Sequence, residues 1–338
     1  MTINSIGDNA RAFSMQNATN RLKSTLNVLS SELNSGKVAD ITQRVRGNLQ
    51  PLHHIENKIS LLGQFKLTSA EATSQADLMQ NVLTEIHAKS EKLGITLITD
   101  FSAPSAQIVS GYARDAKLAL QSVVSQLNSS VAGVRIFGGT EVNRAPLVSA
   151  NAILAEAAEV VSGAATPTEV FSKLDDWFSA PAGGDGFLDF AYSGSQGKIR
   201  QVQVSEHDMA VIDIDASHNV LRETLKSLVM GSLAENEVLP ASIEDRRELL
   251  RLAGDGLHEN GPRLIGLRGK VGLMQQQIEV AQAQNAHVLS SFQVARNDMV
   301  AADPFATAAA ITEVQTQMET LYTLTARLSN LKLVDYLR

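Results

Sequence analysis

A heptad seam near the C-terminal end constrains this chain more than any other feature. Leu264, Leu267, Val271, Met274, Ile278, Ala281, Asn285, Val288, Phe292, Ala295, Met299 and Ala302 follow one another at alternating steps of three and four, and only Asn285 among them is polar. Such steps return side chains to one face of a helix, and a sustained 3.5-residue period makes that face a seam for another helix. Asn285 reads either as a buried residue that sets register or as an edge position touching solvent. A partner for the seam is required, and the N-terminal third supplies candidates. Ala18, Leu22, Leu26, Leu29 and Leu33 recur at helical spacing and stop at Asn34-Ser35-Gly36, a C-cap pattern. After a break that ends at Pro51, Leu52, Ile55, Ile59 and Leu62 open a second helix. Ala72, Ala76, Met79, Leu83, Ile86 and Leu93 continue it, as one long helix or two collinear ones.

Residues 94–104 read as a loop, and Ala116, Leu120, Val123, Leu127, Val131 and Val134 as a third helical stripe. From Val134 the texture changes: Pro and Gly become frequent and helical periodicity weakens until about Asn219. Within this stretch residues 150–162 and 168–178 read as short helices. Residues 187–192 and 200–204 alternate like two strands of one hairpin joined by a Ser/Gly-rich connector, and residues 211–215 supply a further strand. Helical pattern resumes near Val220 and passes Ser242 and Asp245, spaced as in a capping box, into the seam. Pro304 interrupts the seam. Beyond it Ala308, Ile311, Val314, Met318, Leu321, Leu324, Leu328 and Leu331 form a last amphipathic helix with no obvious cover within the chain.

Composition narrows the function classes. Aromatic residues make up only 4% of a chain that is 44% hydrophobic, a balance suited to long helices packed through aliphatic side chains. A net charge of -7 argues against nucleic acid as a partner, because phosphate neutralisation needs clustered Lys and Arg. The absence of cysteine excludes disulfides, thiolate metal sites and a cysteine nucleophile. No segment has the roughly 20 consecutive apolar residues that membrane insertion needs, and the start lacks the basic and apolar regions of a cleaved signal peptide.

Candidates for chemistry are weak one by one. Gly194, Gly197 and Lys198 are too closely spaced for a phosphate loop, and Ile199 stands where Ser or Thr would bind magnesium. Asp255, Glu259 and Asn260 lie among glycines but lack the ligand spacing of a calcium loop, so a solvated, flexible helix junction is the reading there. His53 and His54 are adjacent and diverge by about 100° on a helix, too far apart to grip one ion. Glu223, Glu244 and Asp245 read as residues of wet helix faces. No catalytic residue, metal site or cofactor is expected, and the chain reads as a non-enzyme.

Both ends resemble the flagellin family. Leu29-Ser30-Ser31-Glu32-Leu33-Asn34-Ser35-Gly36-Lys37, preceded by Asn20-Arg21-Leu22, is similar to that family's N-terminal Leu-Ser-Ser-Gly-Leu segment. Gln317-Met318-Glu319, Tyr322, Ala326-Arg327-Leu328-Ser329 and Leu333-Val334-Asp335-Tyr336-Leu337-Arg338 resemble the C-terminal end of the members that join hook to filament. Ile136-Phe137-Gly138-Gly139-Thr140 is similar to their Phe-Ala-Gly-Thr segment, with Gly138 departing from the usual Ala. The resemblance covers the two ends and not the middle. It implies a structural subunit of the bacterial flagellum, exported without a cleaved signal peptide and extracellular once assembled. Its implied partners are copies of itself in a ring or helical array, a neighbouring hook-associated protein, flagellin and an export chaperone. Filament flagellin, or a coiled-coil scaffold unrelated to motility, are the alternatives.

The fold expected is mainly α: a long antiparallel helical bundle or coiled coil formed by both chain ends, with a small inserted α/β or β-rich domain. The boundaries expected are 1–40 with 303–338 for a terminal coiled-coil assembly domain, 41–136 with 218–302 for the helical bundle, and 137–217 for the insert. The assembly or chaperone interface expected is Leu22, Leu26, Leu29 and Leu33 with Ile311, Val314, Met318, Leu321, Leu324, Leu328 and Leu331.

Overall fold

The computed structural model describes residues 3–99, 105–195, 197–235 and 242–336, and the side chains of those that fall within 10–327. In chain order the described elements are α1 (Ile3–Ser35), α2 (Ile41–Arg44), α3 (Gln50–Thr99), α4 (Ala106–Leu127), β1 (Ser130–Val131), β2 (Val134–Arg135), α5 (Ala150–Val160), α6 (Pro167–Ser179), α7 (Phe187–Phe190), β3 (Arg200–Gln203), β4 (Met209–Ile212), α8 (Asn219–Leu233), α9 (Ile243–Val300) and α10 (Pro304–Tyr336). The molecule is mainly α, with two small antiparallel sheets, β1 with β2 and β3 with β4. Packing divides the chain into two compact units, 1–61 with 287–338, and 62–286.

In the terminal unit α1 lies along α10. Gly36 ends α1 with φ 67°, a left-handed conformation that costs glycine little, and its N–H donates to Glu32 O at 2.8 Å. A short clamp then ties both linkers together. Lys37 bridges antiparallel to Ala301, Val38 N–H donates to Val300 O at 2.9 Å, and Ala302 N–H donates to Gly36 O at 3.0 Å. Asp303 caps α10 by accepting from the N–H groups of Phe305 and Ala306, and Pro304 takes the first helical position, where its missing N–H costs nothing. The proline therefore starts a new helix.

The larger unit is built around α8, which is buried on almost every side from Val220 to Leu233. It packs against α4, α5 and α6. Its polar side chains are satisfied locally: Thr224, Ser227 and Ser232 donate to carbonyls one turn back. Asn260 of α9 reaches across to donate to Val220 O and Thr224 Oγ1 at 2.8 and 2.9 Å. The expected seam is realised here, with Leu264, Leu267, Val271, Met274, Ile278 and Ala281 all buried. Hydrogen bonds from Gln275 to Asp77 and from Gln282 to Thr73 set α9 antiparallel to α3. The aromatic residues of the insert cluster separately: Phe178 stacks on Phe187 at 4.7 Å, and Trp177 meets both edge-on.

Four local expectations are corrected. Residues 94–99 are helical rather than loop, because α3 crosses α9 at Gly94 and Gly254. A Cβ at Gly254 would lie 2.9 Å from Leu97 Cβ and 3.0 Å from Gly94 O, so packing that only glycine permits outweighs its poor helix propensity; the rest of the expected loop, 100–104, lies outside the described residues. For the same reason residues 254–261 are no flexible junction but the interior of α9, where a Cβ at Gly256 would meet Ser227 Oγ at 2.5 Å. The third helical stripe stops at Leu127, since Ala132 and Gly133 adopt left-handed conformations that turn Val131 back on Val134 as a hairpin. Finally, β3 pairs with β4 and not with residues 187–192, most of which form α7. The spacing of Phe187 and Phe190 suits one helical face as well as an alternating strand, and burial of Phe187 against Trp177 and Phe178 selects the helix.

Candidate assembly surface

The antiparallel sense of α1 and α10 follows from two levels: Lys37 bridges Ala301 at one, and Thr325 Oγ1 lies 3.8 Å from Met15 Sδ at the other. On α1 the half-buried residues include Met15, Ala18, Thr19, Leu22, Leu26 and Leu29; on α10 the covered ones include Thr307, Ile311, Val314, Met318 and Leu321. Both sets step by three and four, so the helices meet along heptad stripes. The last amphipathic helix thus has a partner within the chain, namely α1.

Cover is incomplete. Of the expected interface residues, Leu22, Leu26, Leu29, Ile311, Met318 and Leu321 are half-buried, and only Val314 is buried. Leu33 and Leu324 remain 42% and 47% exposed, and Leu328 and Leu331 lie outside the residues whose side chains are described. Phe13, Val28, Phe305 and Tyr322 add further exposed apolar area, with Phe305 at 87%. A two-helix pair buries one stripe per helix and leaves the flanks bare, the condition in which further helices add to a bundle. The exposed Thr312, Thr316, Thr320 and Thr323 each donate to the carbonyl four residues earlier, so this face of α10 keeps few free donors.

The other candidates take structural places. Asn285 is buried and donates to Val204 O at 2.7 Å, and Ser69 of α3 donates to the same carbonyl at 3.1 Å. The one polar residue of the seam therefore anchors the end of β3 to the bundle. Asp255 pairs with Arg251 at 2.5 Å, Asp245 caps α9 with Ser242, and exposed His53 lies 3.7 Å from Glu56. Gly194 packs on the Tyr192 ring, where a Cβ would lie 2.3 Å from the hydroxyl, and Gly197 has φ 68° in the approach to β3. Gly138 is also imposed locally, since a Cβ there would meet Glu141 O at 2.4 Å.

One charged cluster is not evident in the sequence. Lys226, 7% exposed at its side chain, pairs with Asp175 at 2.5 Å and Glu223 at 2.6 Å and stands 5.2 Å above the Phe171 ring. Burial, the largest single influence, would lower its pKa, and the hydrogen bonds it donates to Asp175 and Glu223 together with the charges of those carboxylates outweigh burial and raise it. The three-residue spacing of Glu223 and Lys226, which places them on one face of α8, is the signal that could have found it. Among the described residues no group of three or more His, Asp and Glu side chains could hold a metal ion, and no helix is long and apolar enough to cross a membrane.

No family model and no curated protein matches the sequence. Among solved structures, the chain is similar to a Vibrio parahaemolyticus protein provisionally assigned as flagellar hook-associated, with 13% identity over 73% of this chain and 95% of that one and a TM-score of 0.48.

Proposed function

We propose that the chain is a structural subunit of the bacterial flagellum that joins hook to filament, exported and then assembled through its terminal helices. The observation that carries this reading is the α1–α10 pair. The two ends of the sequence meet along a heptad seam, outside the unit that holds the large core, and leave leucine and phenylalanine side chains bare on their flanks. Burying those flanks against neighbouring subunits would offset the entropy of ordering them. The family-like segments lie on or beside these same elements, at residues 20–37 and 317–338. The role needs no catalysis, and its partners are further copies, a hook-associated neighbour, flagellin and an export chaperone docking on the stripe of α10.

Immunogold labelling of isolated flagella tests the reading. Label confined to the hook–filament boundary is the expected result, with a deletion strain that exports filament monomers into the medium but retains no filaments. Label along the whole filament would make the chain a filament subunit. Label restricted to the cytosol, with normal swimming in the deletion strain, would make it a scaffold unrelated to motility.

A further inference from the structure

Among the described residues of the larger unit only one buried side chain carries a charge, Lys226, and the assembly reading gives it no task. On α8 it faces Asp175 of α6, with Glu223 one turn back on its own helix. Its Nζ donates to Asp175 Oδ1 at 2.5 Å and lies 2.6 Å from Glu223 Oε2, while the Phe171 ring stands 5.2 Å away. The amine is 7% exposed, and the two carboxylates keep one side toward water. Phe171, Glu223 and Lys226 also line a cleft of about 280 Å³, ample room for a single water to leave. A charge kept out of water is costly, and an amide in its place would carry none.

An amine, a carboxyl group and a second carboxylate that meet at one point are the parts of an amide condensation. Carboxyl geometry places Asp175 Cγ roughly 3–3.5 Å from Nζ, the separation of a near-attack arrangement. We propose that Lys226 and Asp175 join through an isopeptide bond from Nζ to Cγ, with Glu223 as the base. Because both carboxylates hold the amine as an ammonium, the first step is a proton transfer and the bond forms slowly, after folding. One proton passes from Nζ to Asp175 Oδ1 along their hydrogen bond. The freed lone pair attacks Cγ, and the carbonyl electron pair moves onto oxygen. Glu223 then takes a second proton from nitrogen and returns it to the departing hydroxyl, so the C–O bond breaks and water leaves. An ammonium and a carboxylate become a neutral amide and one water, and Glu223 ends ionised as it began.

No co-reactant is required. Between free molecules in water this condensation is uphill, but effective molarities on the order of 10⁵–10⁸ M for oriented groups outweigh the molarity of water. The bond ties α6 to α8 across 51 residues of sequence, and closing such a loop restricts the unfolded chain as a disulfide would. A chain without cysteine gains in this way a cross-link that no reductant opens. The flagellar reading is neither used nor tested by it.

Intact mass spectrometry of the purified full chain, held at neutral pH and sampled over days, tests the proposal. The expected mass falls below that of the sequence by one water. Trypsin should then release a branched peptide, Leu174–Lys198 joined to Glu223–Arg246 and uncut after Lys226. The branch distinguishes this bond from water lost at Asp185-Gly186 or Asp255-Gly256, where ring closure onto the next amide leaves linear peptides. Glu223→Gln should slow bond formation about 100-fold or more. Lys226→Arg, which keeps a cation beside Phe171, should abolish it, and both variants should retain the circular dichroism spectrum of the parent. The full sequence mass at the end of the incubation, or a deficit of one water that persists in Lys226→Arg, would overturn the proposal. A parental rate in Glu223→Gln would remove that residue from its role as base.

Discussion

At the scale of single residues, the departures from simple periodicity are places where one side chain serves a contact far away in sequence. Asn285 breaks the apolar seam because Val204 O, at the end of β3, lies buried against it. Asn285→Ala leaves that carbonyl with Ser69 as its remaining side-chain donor and should cost about 1–2 kcal/mol, read from the urea midpoint. Glycines divide into two kinds. Gly254→Ala forces a Cβ into Leu97 and should destabilise by about 1–3 kcal/mol, whereas Gly269→Ala meets open space on α9 and should stabilise by roughly 0.5–1 kcal/mol. His218 opens α8, with Nδ1 accepting from Val220 N–H at 3.3 Å. Burial first, and then the charge of Lys270, hold its pKa below 6.5; Arg222 adds to this, while Asp215 and Asp213 oppose it. The folded state binds this proton more weakly than the unfolded chain does. The stability His218 contributes is therefore present above its unfolded pKa and lost as pH falls through the lower folded value. The urea midpoint should drop between about pH 8 and pH 5, and His218→Asn, which keeps a capping oxygen, should flatten that drop.

At the scale of elements, periodicity was a sound guide wherever a helix has one buried face. The stripes of α1, α3, α10 and the seam of α9 were all legible, as were α5, α6, the capping pair Ser242 and Asp245, and the break at Pro304. What escaped has a tertiary cause. The helical course of residues 94–99 depends on a crossing with Gly254, which no local window contains. The partner of β3 was misassigned because Phe187 and Phe190 satisfy two periods, and only the Trp177 cluster decides between them. The stripe of α10 was read as lacking cover because both ends of the chain must be in view before α1 is seen to face it. Val314 is the best-buried apolar side chain among the described residues of that pair, so Val314→Asp should separate the helices. Amide exchange in residues 10–35 and 304–327 should then accelerate together, at least tenfold, while that of α8 stays unchanged.

At the scale of the whole molecule, the two units call for different behaviour. A chain truncated after Ala302 retains all of α8 and the seam that surrounds it, and should stay folded with a cooperative urea transition. By the proposed function it should fail to hold filaments on hooks; normal filament retention by this truncation would remove α10 from the assigned role.

The clamp at Gly36, Lys37, Val300 and Ala302 gives the terminal pair a mechanical character. Both connections of the pair leave at one end, so the outer ends of α1 and α10 lie together at the other. A pull on either tip loads the contact in peeling geometry rather than in shear. The seam then opens a turn at a time, each step breaking a few half-buried contacts, and the fracture runs down to the clamp. A chain drawn tip-first through a narrow conduit would shed these helices at low force, whereas a load borne sideways along the pair would meet the whole seam at once.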